Sequence, residues 1–446
     1  MQNPFKSPNR AAILAAGAAV QILTGIPAAW GVFQNPVMET YQFSEDIASY
    51  AFHILIAFFG LGCVIGGFLQ DKKGPRIAAL WGTALLCGGF LAAAFLPVGN
   101  QWLFFALFSA PAGLGSAFLY PAIFSCAQKW YADKKGFATG VIGCSVGLSG
   151  AFLTIYVRFI TNGFILFGIE ISGIRAAFWS LAALMFPVCL LGSLMLQNPP
   201  PPKQTPAQQG KAYRQTPPQE SYITMRKDVR VAAQQPIANA KKARKATAKI
   251  PLDYSPRQML KTRQYWLCAA SVCFSTPAVL LFSPILVRLG QERGLGEVAA
   301  LSVIMFGSVG SAAGRLLMPM LSDKITRRRT DLCLFAASAA LSLAFLFAQG
   351  WLFVAVYAGL TFCYSGLAAV LPAFSTDLFG LPHAGVNYGF LALGQSVGSL
   401  AFPLLANFLA LSAGRHYIAI AAAVAGFAMV FLIQPSKKNN PNGGQT

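Results

Sequence analysis

The sequence predicts an all-α membrane protein whose twelve transmembrane helices form two pseudo-symmetric six-helix halves. Composition is the first reason. Of the 446 residues, 55% are hydrophobic and only 11% are charged, and the mean hydropathy is +0.55. A soluble domain carries about 25% charged residues. The other two reasons are a series of long apolar runs and an internal repeat.

Twelve apolar runs are long enough to cross a bilayer. The first follows Lys6 and Arg10, as a signal peptide would, but it is too long for such a segment and has no clear cleavage site. We therefore take it as the first span. The predicted spans are 11–33, 47–69, 77–97, 102–127, 137–157, 176–196, 265–287, 298–320, 332–349, 351–374, 385–411 and 416–434.

The two halves of the chain repeat each other at an almost constant spacing. Asp71 corresponds to Asp323, the Pro-Ala pair at 121–122 to the pair at 372–373, and GCSVG at 143–147 to GQSVG at 394–398. Such repeats are typical of secondary transporters, whose binding site lies between the repeats near the bilayer midplane. The predicted segments are an N-terminus 1–10, a first half 11–196, a linker 197–264, a second half 265–434 and a tail 435–446.

The net charge of +20 indicates orientation. If both termini are cytoplasmic, most of the 34 Lys and Arg residues fall on the cytoplasmic side, as the positive-inside rule requires. We expect a multi-pass protein of the inner (plasma) membrane, a monomer, with no nucleic-acid partner. The exceptions are Arg315, inside a span, and five arginines in the opposite loops: Arg158, Arg175, Arg288, Arg293 and Arg415.

The linker 197–264 begins NPPPP and contains KKARK, so we expect a disordered or partly helical cytoplasmic loop. Contact with anionic lipid or with a partner protein stays open for it.

Several functional classes lack their signatures. All nine Cys lie in apolar segments without a CxxC pair, which predicts no metal site. No GxxxxGK[ST] motif occurs, so an ATP-driven pump is not expected. Three His residues do not form an enzyme centre, and we expect no cofactor and no catalysis. A transporter-like sensor that moves no substrate stays open.

Arg315 is the most informative single residue. A charge at this depth costs roughly 2.5–3.5 kcal/mol on insertion scales, so it predicts a functional site. Gly307 and Ser311 precede it on the same helix face and leave space for a small anion. The alternative is that Arg315 pairs with a carboxylate for assembly.

Two loops resemble those of a known family. Residues 67–76 (GFLQDKKGPR) resemble the signature loop of the major facilitator superfamily, and residues 322–328 resemble its degenerate second copy. Residues 129–136 (KWYADKKG), the Gly-Arg pair at 314–315 and the Asn-Tyr-Gly at 387–389 resemble the oxalate–formate antiporter and monocarboxylate transporter group within that superfamily.

The resemblance implies a carboxylate substrate and a set of site residues. It places Arg315 at the arginine that holds the substrate carboxylate, a role for which a planar, permanently charged guanidinium is suited. The oxalate antiporter uses a second positive charge, a lysine, at the position that corresponds to Gln395. One fixed charge instead of two favours a monocarboxylate.

Other candidates line the same predicted cavity. His53 corresponds to a cavity histidine of bacterial lactate transporters, and its reference pKa of about 6.5 suits proton coupling; a buried structural His is the alternative. Tyr120 and Tyr364 offer hydroxyl groups, with core packing as the alternative. We expect latches between helices at the cytoplasmic gate, formed by Asp71, Arg76, Asp323 and Arg327.

The predicted function is secondary active transport of a small monocarboxylate of the lactate, pyruvate or formate type, coupled to protons. Carboxylate–carboxylate exchange is the main alternative among transporters.

Overall fold

The computed structural model describes residues 9–131, 134–166, 169–199, 254–380, 383–409 and 414–433. The predicted tail 435–446 lies outside this part of the chain, as do residues 1–8 of the N-terminus and 200–253 of the linker. The predictions for those segments stay predictions.

The described residues of the first half form six membrane spans, and local chemistry sets several of their ends. The Ser44 side chain caps the second helix by accepting a hydrogen bond from the Ile47 amide at 3.4 Å. Gly74 precedes the third with φ of 89°, and Pro75 then occupies its first turn. The six spans are Arg10–Tyr41, Glu45–Lys73, Pro75–Ala94, Gln101–Trp130, Gly136–Thr161 and Gly173–Met195.

Two of these spans are locally irregular. The first breaks at Gly25 into helices Arg10–Thr24 and Ile26–Tyr41. The fourth contains a π-helical turn, Phe105–Ser109, between Gln101–Phe104 and Ala110–Trp130. Such turns are common near functional sites.

The described residues of the second half form five continuous spans and one broken span. The predicted run 265–287 forms Arg263–Ser275, Pro277–Leu280 and Leu286–Glu292, after a short helix Pro256–Met259. Pro277 and Pro284 explain the break, since proline removes a backbone donor. The continuous spans are Glu297–Ile325, Arg327–Phe347, Gly350–Phe379, Ala384–Leu409 and Gly414–Leu432.

A small hairpin joins the fifth and sixth spans. Strand β1 (Phe164–Leu166) pairs antiparallel with β2 (Ile169–Ile171), and Phe164 lies opposite Ile171. The all-α prediction did not include this element. The twelve-helix class is otherwise confirmed, with the seventh span as a discontinuous helix.

The two halves pack through pairs of helices with small residues at their contacts. The fifth span packs closely against the eighth. If Gly143 carried a Cβ atom, this atom would lie only 3.1 Å from the Cβ of Arg315. The second span meets the eleventh in the same way, since a Cβ at Gly67 would lie 2.9 Å from the Gly385 carbonyl oxygen. Glycine permits this close approach, and the contact places Arg315 at the boundary between the halves.

Candidate functional site

A central cavity of about 120 Å³ lies between the two halves. One water needs roughly 10–15 Å³ by this measure, so the cavity has room for a small molecule. Helices of both halves line it, and Arg315 carries the only full charge among its described lining residues. The polar side chains on its wall are Gln21, Thr24, Ser116, Tyr120, Ser283, Ser308, Ser311, Arg315, Tyr357, Thr361, Tyr364, Ser365, Tyr388 and Gln395.

Arg315 reaches from the second half to the first. Its Nη1 donates a hydrogen bond to the Tyr120 hydroxyl at 3.3 Å. Its Nε is buried and has no hydrogen-bond partner, and no carboxylate pairs with the guanidinium, among the described residues. A buried donor without a partner is costly. The predicted alternative, an assembly ion pair, is therefore not what the described residues form, and the unmet donor suits an anion.

Aromatic rings from both halves build the wall beside Arg315. The rings of Tyr120 and Tyr388 stack, with centroids 6.5 Å apart and an interplanar angle of 13°. Phe59 meets the Tyr120 ring edge-on at 5.8 Å. These contacts fix the Tyr120 ring and hold its hydroxyl toward the guanidinium.

Tyr364 and Gln395 form a second polar pair on the wall. Gln395 Nε2 donates a hydrogen bond to the Tyr364 hydroxyl at 2.8 Å. The structure therefore brings four predicted residues, Arg315, Tyr120, Tyr364 and Gln395, to one cavity. Their roles in binding stay predictions.

His53 does not lie on the wall of this cavity. It is 3% exposed and lines a separate pocket of about 20 Å³, together with Tyr50, Asn407 and Arg415. Its Nδ1 has no hydrogen-bond partner among the described residues. Ile56, one turn further along the helix, does line the central cavity. A direct substrate contact by His53 is thus not supported by its position.

The signature loops lie at one end of the molecule, which we call the basic end, and contact the opposite half there. Asp71 lies close to Gly385, in the first turn of the eleventh span: a Cβ atom added to this glycine would lie 3.1 Å from Asp71 Oδ1. A Cβ at Gly136, at the start of the fifth span, would lie 3.1 Å from Asp323 Oδ2. Each aspartate thus faces the beginning of a helix, where a negative charge is favourable.

Arg327 and Arg76 differ in their surroundings. The Arg327 guanidinium contacts Asp323 at 2.5 Å and Asp377 at 3.5 Å. Arg76 is exposed, and no ion pair joins it to Asp71 in the part of the chain that the structure describes. The latch role of these residues stays a prediction, and the contacts that support it run from the aspartates to the opposite half.

The halves also meet at the opposite end. Arg288, on the seventh span, forms an ion pair with Glu45, which begins the second span. Asn407 Nδ2 donates a hydrogen bond to the Tyr50 hydroxyl at 3.0 Å. Contacts between the halves therefore lie on both sides of the cavity.

Two residues of the central cavity wall, Gln21 and Tyr388, are only weakly indicated as site residues by the sequence. The Gln21 side-chain oxygen accepts from Thr24 Oγ1 at 2.8 Å, while its Nε2 is buried without a partner among the described residues. A lone amide in an apolar span is the signal that marks it. Tyr388 is close to the start of its helix in sequence, but it stacks on Tyr120 in the cavity.

The comparison with protein families decides the class. The model of the Major Facilitator Superfamily matches residues 13–330 and 307–446. The chain belongs to the major facilitator superfamily. The proton:xylose symporter XylE of the same superfamily shares the fold, with a TM-score of 0.65, 14% identity and 95% of each chain covered.

Similar sequences within the superfamily agree with the predicted branch. The oxalate:formate antiporter of Oxalobacter formigenes is 24% identical over 85% of this chain and 79% of its own length. The MFS-type transporter YhjX of Escherichia coli is 22% identical over 85% and 83%. The apicoplast pyruvate carrier 1 of Toxoplasma gondii is 25% identical over 79% and 68%. The resemblance to the oxalate–formate antiporter branch is confirmed, and the chain is a multi-pass membrane transporter.

Proposed function

We propose that this transporter carries a small monocarboxylate such as lactate, pyruvate or formate, and that Arg315 binds the substrate carboxylate. The observation that carries the proposal is the guanidinium on the cavity wall that no described carboxylate neutralises. An anion that enters the cavity supplies the missing charge and accepts from the unmet donors, in a bidentate geometry that suits carboxylates.

Neighbouring groups complete the proposed site. Tyr120 already holds one edge of the guanidinium, so a carboxylate on Arg315 lies within reach of its hydroxyl. Tyr364 and Gln395 add neutral donors and acceptors. With a single fixed charge on the described wall, a monocarboxylate leaves the occupied cavity neutral, whereas a dicarboxylate leaves an unpaired buried charge, which is costly.

We further propose that the basic end faces the cytoplasm and that the protein lies in the plasma membrane, as the distribution of Lys and Arg favours. Asp71 and Asp323 then close the cytoplasmic side through the opposite half. Arg288 and Glu45 close the other side, so alternating access requires these two sets of contacts to break in turn.

Exchange is the second candidate mechanism. The similarity to the oxalate:formate antiporter of Oxalobacter formigenes favours it. Proton symport and exchange use the same binding site and differ in whether the empty carrier returns.

A competition experiment tests the binding chemistry. Labelled pyruvate uptake into proteoliposomes is measured with unlabelled lactate, formate or the neutral analogue lactamide. We expect lactate and formate to compete with labelled pyruvate. Lactamide should compete at least about tenfold more weakly, because it lacks the charge that pairs with Arg315. Equal competition by lactamide would contradict this pairing.

A further inference from the structure

Asp331 is a buried carboxylate that the proposed binding site does not use. It lies in the first two turns of the ninth span, Arg327–Phe347, and is only 6% exposed. Its Oδ1 is buried without a hydrogen-bond partner among the described residues. An ionised carboxylate in such a place costs several kcal/mol unless a counter-charge accompanies it. A proton is the smallest group that removes that charge.

A cation one helical turn before Asp331 is already engaged with other partners. Arg327 precedes Asp331 by one helical turn, but its guanidinium contacts Asp323 and Asp377 at the basic end. Its Nη1 also donates to the Pro319 carbonyl oxygen at 3.3 Å and to the Ser322 hydroxyl. Arg327 is thus shared among acceptors that lie outside the pocket described next.

Asp331 lines a second cavity, which we call the Asp331 pocket. It has a volume of about 30 Å³, enough for about two waters, and lies within the second half. Ser271 and Ser275 on its wall donate their hydroxyl hydrogens to carbonyl oxygens of their own helix, each at 2.7 Å. Their oxygens therefore keep lone pairs that accept hydrogen bonds from water.

The Asp331 pocket shares a wall with the central cavity. Tyr364, Tyr388, Gln395 and Ala368 line both. The hydrogen-bonded pair of Gln395 and Tyr364 thus stands between Asp331 and the cavity of Arg315. A hydroxyl group both donates and accepts, so water in the Asp331 pocket and the Tyr364 hydroxyl can form a continuous hydrogen-bonded chain.

The charged and titratable groups around Asp331 lie on several helices. On its own helix, Arg328 donates to the carbonyl oxygens of Val430 and Phe431, and Arg329 is exposed. The described titratable residues on the Asp331 pocket wall are Cys268 on the seventh span, Tyr364 on the tenth and Tyr388 on the eleventh. Arg327 lies on the same helix, and Asp323 of the eighth span reaches this region only through Arg327. The twelfth span also packs on the ninth, but its described titratable residues, Arg415, His416 and Tyr417, lie at the end remote from Asp331.

We propose that Asp331 is the group that binds the proton transported together with the carboxylate. This inference rests on the proposed function. The carboxylate oxygen of Asp331 takes up a proton from one side of the membrane, an O–H bond forms, and the same bond breaks when the proton leaves on the other side. The substrate anion on Arg315 and the proton on Asp331 then cross together without net transfer of charge.

The Asp331→Asn variant tests the assignment because the amide mimics the neutral, protonated side chain. Three readouts are needed in proteoliposomes and with purified protein. The first is exchange of labelled pyruvate against internal pyruvate at equal pH. The second is accumulation of labelled pyruvate under an inward proton gradient of one pH unit. The third is the infrared band of a protonated carboxyl, recorded as a difference between two pH values.

We expect the wild type to accumulate pyruvate up to about tenfold, the limit for one proton per anion at one pH unit. Asp331→Asn keeps exchange, loses accumulation to a ratio of about one, and loses the infrared band. Glu297→Gln is the matched control, because it removes an exposed carboxylate of the same half. It keeps all three signals.

The outcomes separate the two proposals. Retained proton-driven accumulation in Asp331→Asn would overturn the inference, as would accumulation in the wild type that follows a sodium gradient and ignores pH. An unchanged infrared band in Asp331→Asn would overturn it even if no pyruvate is transported. Absence of carboxylate uptake in the wild type, with a band that Asp331→Asn removes, would overturn the proposed substrate and support the protonation of Asp331.

Discussion

Arg315 and Tyr120 join the two halves of the transporter at the cavity, through a hydrogen bond of 3.3 Å from Nη1 to the hydroxyl oxygen. The two side chains come from the eighth and fourth spans and lie far apart in sequence. A carboxylate bound by both is held by both halves at once. Binding can therefore alter the contacts between the halves, which is what alternating access requires.

Replacing Arg315 with Ala is expected to abolish saturable uptake over the concentration range in which the wild type saturates. The loss of a buried charge-assisted contact costs about 3 kcal/mol or more, on the order of a 100-fold rise in half-saturation concentration. Arg315→Lys keeps the charge but loses the bidentate geometry, so its half-saturation concentration should lie between those of the wild type and Arg315→Ala. Initial rates of labelled pyruvate uptake check this. Arg329→Ala, an exposed arginine of the same half, is the control; saturable uptake retained in Arg315→Ala would remove Arg315 from the site.

Replacing Gln395 with Lys adds a second fixed positive charge to the cavity wall. We expect the ratio of oxalate to formate uptake to rise about tenfold or more, because the second carboxylate gains a partner. Gln395→Met loses the hydrogen bond to Tyr364 without adding charge, and it controls for the changed shape. Uptake of both anions from equimolar mixtures measures the ratio. If Gln395→Lys and Gln395→Met showed the same ratio of oxalate to formate uptake, the number of fixed charges would not be the basis of selectivity.

Replacing His53 with Gln separates substrate contact from proton coupling. His53 lines the small pocket with Arg415 and not the central cavity, so the half-saturation concentration should stay within about twofold. If Asp331 carries the proton, accumulation under a proton gradient also persists. Loss of accumulation with binding intact would instead assign coupling to His53, and a tenfold weaker binding would return His53 to the substrate site.

Replacing Asp71 or Asp323 with Asn tests the proposed latches at the basic end. Each carboxylate faces the first turn of a helix from the opposite half, and the loss of a charge beside a helix start costs about 0.3–1 kcal/mol. We expect a changed turnover rate with unchanged half-saturation concentration, and a larger effect in the double variant. The concentration dependence of pyruvate exchange measures both quantities. A rise in half-saturation concentration without a change in rate would contradict a gating role.

The sequence predicts the fold closely because both of its signals extend over many residues. Each apolar run is as long as a membrane span, and the repeat relates one half of the chain to the other. The break in the seventh span follows from Pro277 and Pro284, yet apolar residues on both sides conceal it in a hydropathy reading. The hairpin of β1 and β2 is too short for a periodic signal. The contacts of Asp71 and Asp323 with the opposite half depend on tertiary packing, which the loop motif alone does not specify.

The site was only partly predictable for a related reason. Arg315, Tyr120, Tyr364 and Gln395 stand out as polar or aromatic residues in apolar helices, and they do meet. His53 stands out equally, but the face of its helix that carries it points to another pocket. Asp331 follows a basic loop in sequence and resembles a helix-end carboxylate. Only the packing of the ninth span shows that it is buried.

Proton-coupled monocarboxylate transport is tested by uptake of labelled lactate, pyruvate, formate and oxalate into proteoliposomes, with and without an inward proton gradient. Liposomes of the same lipid without protein are the control. We expect the gradient to drive accumulation of at least one monocarboxylate and oxalate to be transported poorly. Uptake of oxalate in preference to all three monocarboxylates, or uptake of none of the four, would contradict proton-coupled monocarboxylate transport.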